Sequence, residues 1–101
     1  MKNPSSPFDP IQTGRGLLLD VTVRLPHGLH SRPSARLAQL AREYDASVLL
    51  ISANAEVDAK STLELLSLAL QPNDHVKILA SGPQAREALL AIAALLSDPG
   101  E

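Results

Sequence analysis

At 101 residues the chain fits one small domain, and an apolar fraction of 45% is enough for a single core. The net charge of −2 speaks against a nucleic-acid partner, and no apolar stretch approaches the ~20 residues of a membrane span. The absence of cysteine excludes disulfides, thiolate metal sites and thiol catalysis, and it agrees with a reducing cytoplasm.

Residues 1–16 are rich in Asn, Pro, Ser and Gly and lack the apolar run of a secretion signal. They are expected to form a mobile tail or linker, with Phe8 and Ile11 offering at most a weak anchor. From Leu17 the pattern becomes regular. Leu17, Leu19, Val21, Val23 and Leu25 alternate with Leu18, Asp20, Thr22 and Arg24, which predicts a strand with one buried face, broken by Pro26 and Gly28. A helix is expected from Ser31 to Tyr44. Leu37, Leu40, Ala41 and Tyr44 form its apolar stripe, and Arg36, Gln39 and Glu43 face the other way.

Val48, Leu49, Leu50 and Ile51 read as a short strand. Asn54 and Ala55 then turn the chain into a brief strand around Glu56 to Asp58. Ser61-Thr62-Leu63-Glu64 reads as a capping box, with Ser61 the cap and Glu64 reaching back to it. The helix it opens ends near Leu70, before the turn residues Pro72-Asn73-Asp74. Val76, Ile78 and Ala80 alternate with His75, Lys77 and Leu79 in a last strand. Ser81-Gly82-Pro83 starts a final helix that buries Ala85, Ala88, Leu89, Ile92 and Leu96, and Asp98-Pro99-Gly100 stops it.

Phe8 and Tyr44 are the aromatic residues, so Leu, Ala, Val and Ile must build the core. The order of elements predicts an α+β fold, with helices gathered over one mostly antiparallel sheet so that every apolar face is buried. Periodicity alone leaves the strand order open, and a ferredoxin-like arrangement fits almost as well. No internal repeat is present.

Most of the functional content lies in Gly28-Leu29-His30-Ser31-Arg32-Pro33. A helix start exposes backbone N–H donors and a partial positive charge, which together hold phosphate readily. A neutral imidazole there is also a nucleophile able to take a phosphoryl group covalently. Gly28 lets a ligand or partner approach the backbone, Arg32 offers a planar cation suited to phosphate, and Pro33 stiffens the helix start. By local chemistry alone, a histidine before a helix is more often a capping or solvent-facing residue.

The remaining candidates are weaker. His27 reads as a loop residue near the site, open to a role as second acceptor, metal ligand or partner contact, but no Cys, Asp or Glu converges on it. His75, beside a turn, reads as solvent-exposed. Ala59-Lys60-Ser61-Thr62 is similar to the end of a nucleotide-binding loop, but the upstream glycines that would wrap phosphates are missing. Neither a carboxylate pair nor a Ser-His-Asp arrangement is identifiable, so hydrolytic catalysis has no support. No cofactor and no metal site is read from the chain.

Leu25-Pro26-His27-Gly28-Leu29-His30-Ser31-Arg32-Pro33 resembles the active-site segment of HPr, the histidine-containing phosphocarrier family of the sugar phosphotransferase system. A second, distant match lies at Asp58-Ala59-Lys60-Ser61 and Leu65-Leu66-Ser67-Leu68, which resemble that family's regulatory-serine segment and following short helix. The resemblance covers Leu17 to about Leu96, within a domain expected over 17–98. It implies an open-faced sandwich of four antiparallel strands covered on one face by three helices. It further implies a cytoplasmic carrier, not itself an enzyme, in which His30 accepts phosphate on Nδ1 from phosphorylated enzyme I. His30 would pass the group to the A component of a sugar permease. Arg32 would stabilise the phosphoryl group within a loop of Gly28, Ser31 and Pro33, and Ser61 would be the regulatory serine. Gln39, Thr62, Leu63 and Ser67 would touch partners, although Leu63 suits core packing equally well.

Three departures from the family pattern stand out. Ser31 and Ser34 replace the alanine or threonine more usual in the loop, a change expected to be harmless because small residues fit either way. Ala69 stands where glycine is common after the short helix, so the turn there is expected to differ. The polar tail and the Leu-Pro before the site are also compatible with an HPr domain excised from a multidomain phosphoryl-transfer protein. The competing reading is a regulatory module, whose phosphorylation at His30 or Ser61 controls a transcription factor or kinase, with an HPr kinase/phosphorylase as a further partner. A degenerate docking domain is a third reading, which the intact Gly28, His30, Arg32 and Pro33 oppose.

Overall fold

The computed structural model describes residues 9–53 and 55–100. In chain order the elements are β1 (Ile11–Thr13), β2 (Gly16–Thr22), α1 (Ser31–Arg42), β3 (Ser47–Ser52), β4 (Ala55–Asp58), α2 (Thr62–Ser67), β5 (His75–Ser81) and α3 (Ala85–Leu96). The strands form one antiparallel sheet in the order β1-β2-β5-β3-β4. The last strand therefore lies inside the sheet, between β2 and β3, which resolves the order that periodicity left open.

Strand alternation sets the buried face. Leu19 and Val21 of β2, Val48 and Leu50 of β3, Val57 of β4, and Val76, Ile78 and Ala80 of β5 turn inward. They meet Leu37, Ala38 and Ala41 of α1, Leu65 of α2, and Ala88, Leu89, Ile92, Ala93 and Leu96 of α3. Burying each large aliphatic side chain contributes about 1.5–3 kcal/mol, so this single cluster is the main source of stability. Leu40 and Tyr44, placed in the α1 stripe by spacing, are only partly buried and pack at the margin of the cluster. Helix α1 stops at Arg42, short of the Tyr44 its apolar stripe reaches, and α3 starts at Ala85, leaving the expected start at Ser81-Gly82-Pro83 outside it.

The sheet has five strands, one more than sequence patterning and the family resemblance suggest. Residues 11–16, expected within a mobile tail, form β1 and a tight turn into β2. Thr13 makes that turn: its Oγ1 donates to the Gly16 carbonyl at 2.8 Å and accepts from the Arg15 N–H at 3.1 Å. Ile11 pairs with Leu18 and is exposed, so β1 is held by backbone bonds at a sheet edge and carries no apolar alternation to betray it. Phe8, named above as an anchor, and Asn54, named as a turn residue, lie outside the described residues.

The open face is not wholly polar. Leu79 of β5 is buried there, paired in register with Leu18 on one side and Leu49 on the other. Helices on one side thus do not bury every apolar face, because this leucine row packs across the strands themselves. Arg15 donates two hydrogen bonds to Glu56, each at 2.9 Å, joining the β1–β2 turn to β4. That bond, more than charge attraction, draws the Glu56 carboxyl below its ordinary range.

Candidate functional site

Helix α1 begins immediately after His30, whose backbone is extended (φ −83°, ψ −168°). Its carbonyl accepts the first helical bond, from Ser34 N–H at 2.9 Å, but its imidazole makes no cap hydrogen bond. The imidazole of this exposed residue is therefore not spent on capping, and of the two roles that local chemistry favours it takes the solvent-facing one. Ser31 and Arg32 are the first two helical residues, and their N–H groups have no partner among the described residues. Pro33, the third, has no N–H to offer and is buried, which anchors the helix start. The exposed Arg32 side chain has no hydrogen-bond or ion-pair partner among the described residues. An exposed imidazole, two unspent backbone donors and an unpaired guanidinium thus share one helix end.

The loop before the helix is held from behind. Gly28 has φ +73°, donates to the Leu25 carbonyl at 3.0 Å, and sits against the Leu70 carbonyl where a Cβ would overlap. Leu29 is buried and donates its N–H to that same carbonyl at 2.9 Å. Ser34 is fully buried, and its Oγ donates to the Leu29 carbonyl at 3.1 Å. Ser34 is therefore more than a small filler: an alanine there would leave a buried carbonyl with one bond fewer. Neither Ser34 nor Leu70 was singled out as site-supporting from the sequence. A serine one turn into a helix, aimed back at the capping loop, is a usable signal for the first, whereas nothing local marks the second.

The support for Gly28 and Leu29 comes from the end of α2. Ala69 takes φ +51°, the left-handed conformation that closes a helix and that glycine adopts at less cost.

The two helices α1 and α2 run in opposite senses. Leu29, before α1, bonds Leu70, after α2, while Arg42 at the end of α1 donates to the Lys60 carbonyl before α2 at 2.7 Å. Ser61 therefore lies by the far end of α1 from His30, and the two belong to separate places on the surface. Ser61 caps α2, accepting from Glu64 N–H at 3.2 Å. Glu64 does not complete the expected box: its Oε1 accepts from Asp58 N–H at 2.9 Å, while Ser61 N–H goes to the Asp58 carbonyl at 3.0 Å. Leu63 is 80% exposed, which rules out core packing. Gln39 and Ser67 are exposed and Thr62 partly so. Ser67 Oγ donates to the Glu64 carbonyl. His27 is exposed beside His30, their ring centroids 6.0 Å apart and inclined at 71°. His75 lies at the start of β5, its Nδ1 3.3 Å from Thr22 Oγ1. Among the described residues no cluster of three His, Asp or Glu side chains is placed to hold a metal ion.

The family model described as the PTS HPr component phosphorylation site matches residues 19–98. The chain belongs to the HPr family. It is 38% identical over 79 residues to the phosphocarrier protein HPr of Mycoplasma pneumoniae, covering 77% of this chain and 90% of that protein. It is 36% identical over 80 residues to the phosphocarrier protein NPr of Escherichia coli K12, covering 78% and 87% respectively. The crystal structure of HPr from Bacillus anthracis superposes with a TM-score of 0.76 at 34% identity, covering 78% of this chain and 94% of that one.

HPr proteins are phosphocarriers of the phosphotransferase system: they hold a phosphoryl group in transit and do not turn over a substrate. The open-faced sandwich of this HPr chain, three helices on one antiparallel sheet, is the family fold, here with β1 as an added edge strand. No helix among its described residues is long and apolar enough to cross a membrane. The matched residues take in both the His30 loop and the Ser61 helix start.

Proposed function

We propose that His30 is the phosphoryl acceptor of this carrier, taking the group on Nδ1 from phosphorylated enzyme I and yielding it to the A component of a sugar permease. The observation that supports this most is the α1 start: an exposed imidazole free of capping duty beside two unspent N–H donors and an unpaired arginine. Transfer is in line. The Nδ1 lone pair forms the new P–N bond as the donor's bond to phosphorus breaks, and the donor keeps that electron pair. The Ser31 and Arg32 N–H groups and the Arg32 guanidinium then take up charge on the phosphoryl oxygens. Onward transfer repeats the step with the His30 nitrogen as leaving group. Gln39, Thr62, Leu63 and Ser67 form the candidate contact surface for these partners.

Incubation with phosphoenolpyruvate and enzyme I, followed by intact mass and acid treatment, tests this reading. One acid-labile phosphoryl group that disappears in His30→Ala is expected. An unmodified wild-type protein with its cognate enzyme I would overturn it.

The regulatory alternative draws on Ser61, partly exposed and two residues before the exposed Leu63. A phosphate there would add about two negative charges next to that apolar side chain and alter docking. An acid-stable phosphate after treatment with an HPr kinase/phosphorylase supports it. A Ser61→Ala variant that loses thermal stability alone reduces Ser61 to a helix cap.

A further inference from the structure

His27 remains unassigned by this scheme. It lies three residues before His30, and Gly28, in the left-handed region between them, folds the chain so that the two exposed rings face edge to face at 6.0 Å and 71°. No hydrogen bond joins the rings, because that centroid separation leaves their nearest atoms beyond the ~3.2 Å limit of direct bonding. The His27 ring has no hydrogen-bond partner among the described residues, unlike His75, which is placed against Thr22. A neutral imidazole carries one N–H donor in either tautomer, so His27 has a donor to offer at any protonation state. A gap too wide for two nitrogens is suited to a tetrahedral oxyanion bonded to one ring and facing the other.

We propose that His27 is a positioning residue for the carried group, donating a ring N–H to a phosphoryl oxygen on His30 and so raising the share of phosphate the carrier holds. The inference rests on His30 being the acceptor. It adds a side-chain donor on the loop side of the phosphoryl group, whereas the Ser31 and Arg32 amides lie on the helix side. It forms no bond to phosphorus.

The test uses the full chain labelled with 15N and phosphorylated chemically with phosphoramidate, and separately equilibrated with phosphorylated enzyme I. Phosphorylation should move the His27 ring 15N signals well beyond any change at His75. The exchange equilibrium with enzyme I should fall about three- to tenfold in His27→Ala, the effect of one hydrogen bond, and recover in His27→Gln, which keeps an N–H donor. Both variants should unfold at the wild-type midpoint, since His27 is exposed. Unmoved His27 signals on a protein phosphorylated at His30, or an equilibrium unchanged in His27→Ala, would overturn the inference alone. An acid-labile adduct on His27 in His30→Ala would do the same, by making His27 an acceptor. Failure of His30 to take phosphate from either donor is a separate outcome that removes the carrier reading and this inference with it.

Discussion

The carbonyl oxygen of Leu70 lies close enough to Gly28 to clash with any Cβ there, and the same oxygen accepts the N–H of Leu29 at 2.9 Å. The end of α2 is thereby packed against the loop that delivers His30 to α1. Gly28→Ala must relieve both the overlap and a φ of +73°, and it can do so only by moving the loop. We expect a loss of about 1–3 kcal/mol in urea unfolding, together with slower phosphoryl acceptance. An alanine variant with wild-type stability would show that the loop yields freely.

Ser34 supports the same loop from inside the helix. Ser34→Ala removes the bond to the Leu29 carbonyl at a fully buried position and should cost about 1 kcal/mol. Denaturant midpoints at constant slope measure it. No change would mean that Leu29 finds another donor.

Ala69 carries the opposite sign. Its φ of +51° strains an L-residue by about 1–2 kcal/mol, part of which glycine returns as unfolded-state entropy. Ala69→Gly should therefore raise stability by about 0.5–1 kcal/mol. A lower melting temperature in the variant would contradict this account of the turn.

Leu63, 80% exposed, should matter to partners and not to folding. Leu63→Ser is expected to leave stability within about 0.5 kcal/mol while raising the KM for transfer from enzyme I. An unchanged KM would remove Leu63 from the docking surface.

The Arg15–Glu56 pair gives a pH dependence whose sign follows from its bonds. Hydrogen bonding to Arg15 holds the Glu56 carboxyl lower in the folded state than in the unfolded one. Its stabilisation is therefore present above the unfolded value, about pH 4.3, and is lost as pH falls through the lower folded value. Both side chains are largely exposed, so the effect is small and salt-sensitive. Comparing melting of wild type and Glu56→Gln, the gap should close as the pH drops below about 4. A gap that widens on acidification would reverse the assignment.

Local chemistry made much of this molecule readable in advance. Period-two alternation in β2 and β5 and the spacing of Leu37, Ala88, Leu89, Ile92 and Leu96 name the core because each of these periods collects apolar residues on one face of its element. Ser61 is legible as a cap for a similar reason: a hydroxyl before a helix has a defined N–H to accept. Strand β1 was not legible, since Ile11–Thr13 is held by backbone pairing to β2, which leaves no mark on side-chain pattern. Leu79 escaped for a related reason, as its burial depends on Leu18 and Leu49 being brought beside it.

The sequence by itself determined the helix start at His30, with Arg32 and Pro33 behind it, because residue order alone places a ring and a cation at a row of unpaired amides. Only the tertiary structure decided what holds that start in place. Leu70 reaches Gly28 and Leu29 across more than 40 residues of chain, and Ser34 turns inward because α1 is pressed onto the sheet. Such contacts follow from strand order and helix packing, which composition and spacing leave undetermined. The tertiary structure also put Ser61 by the far end of α1 from His30, a separation that follows from the opposite senses of α1 and α2.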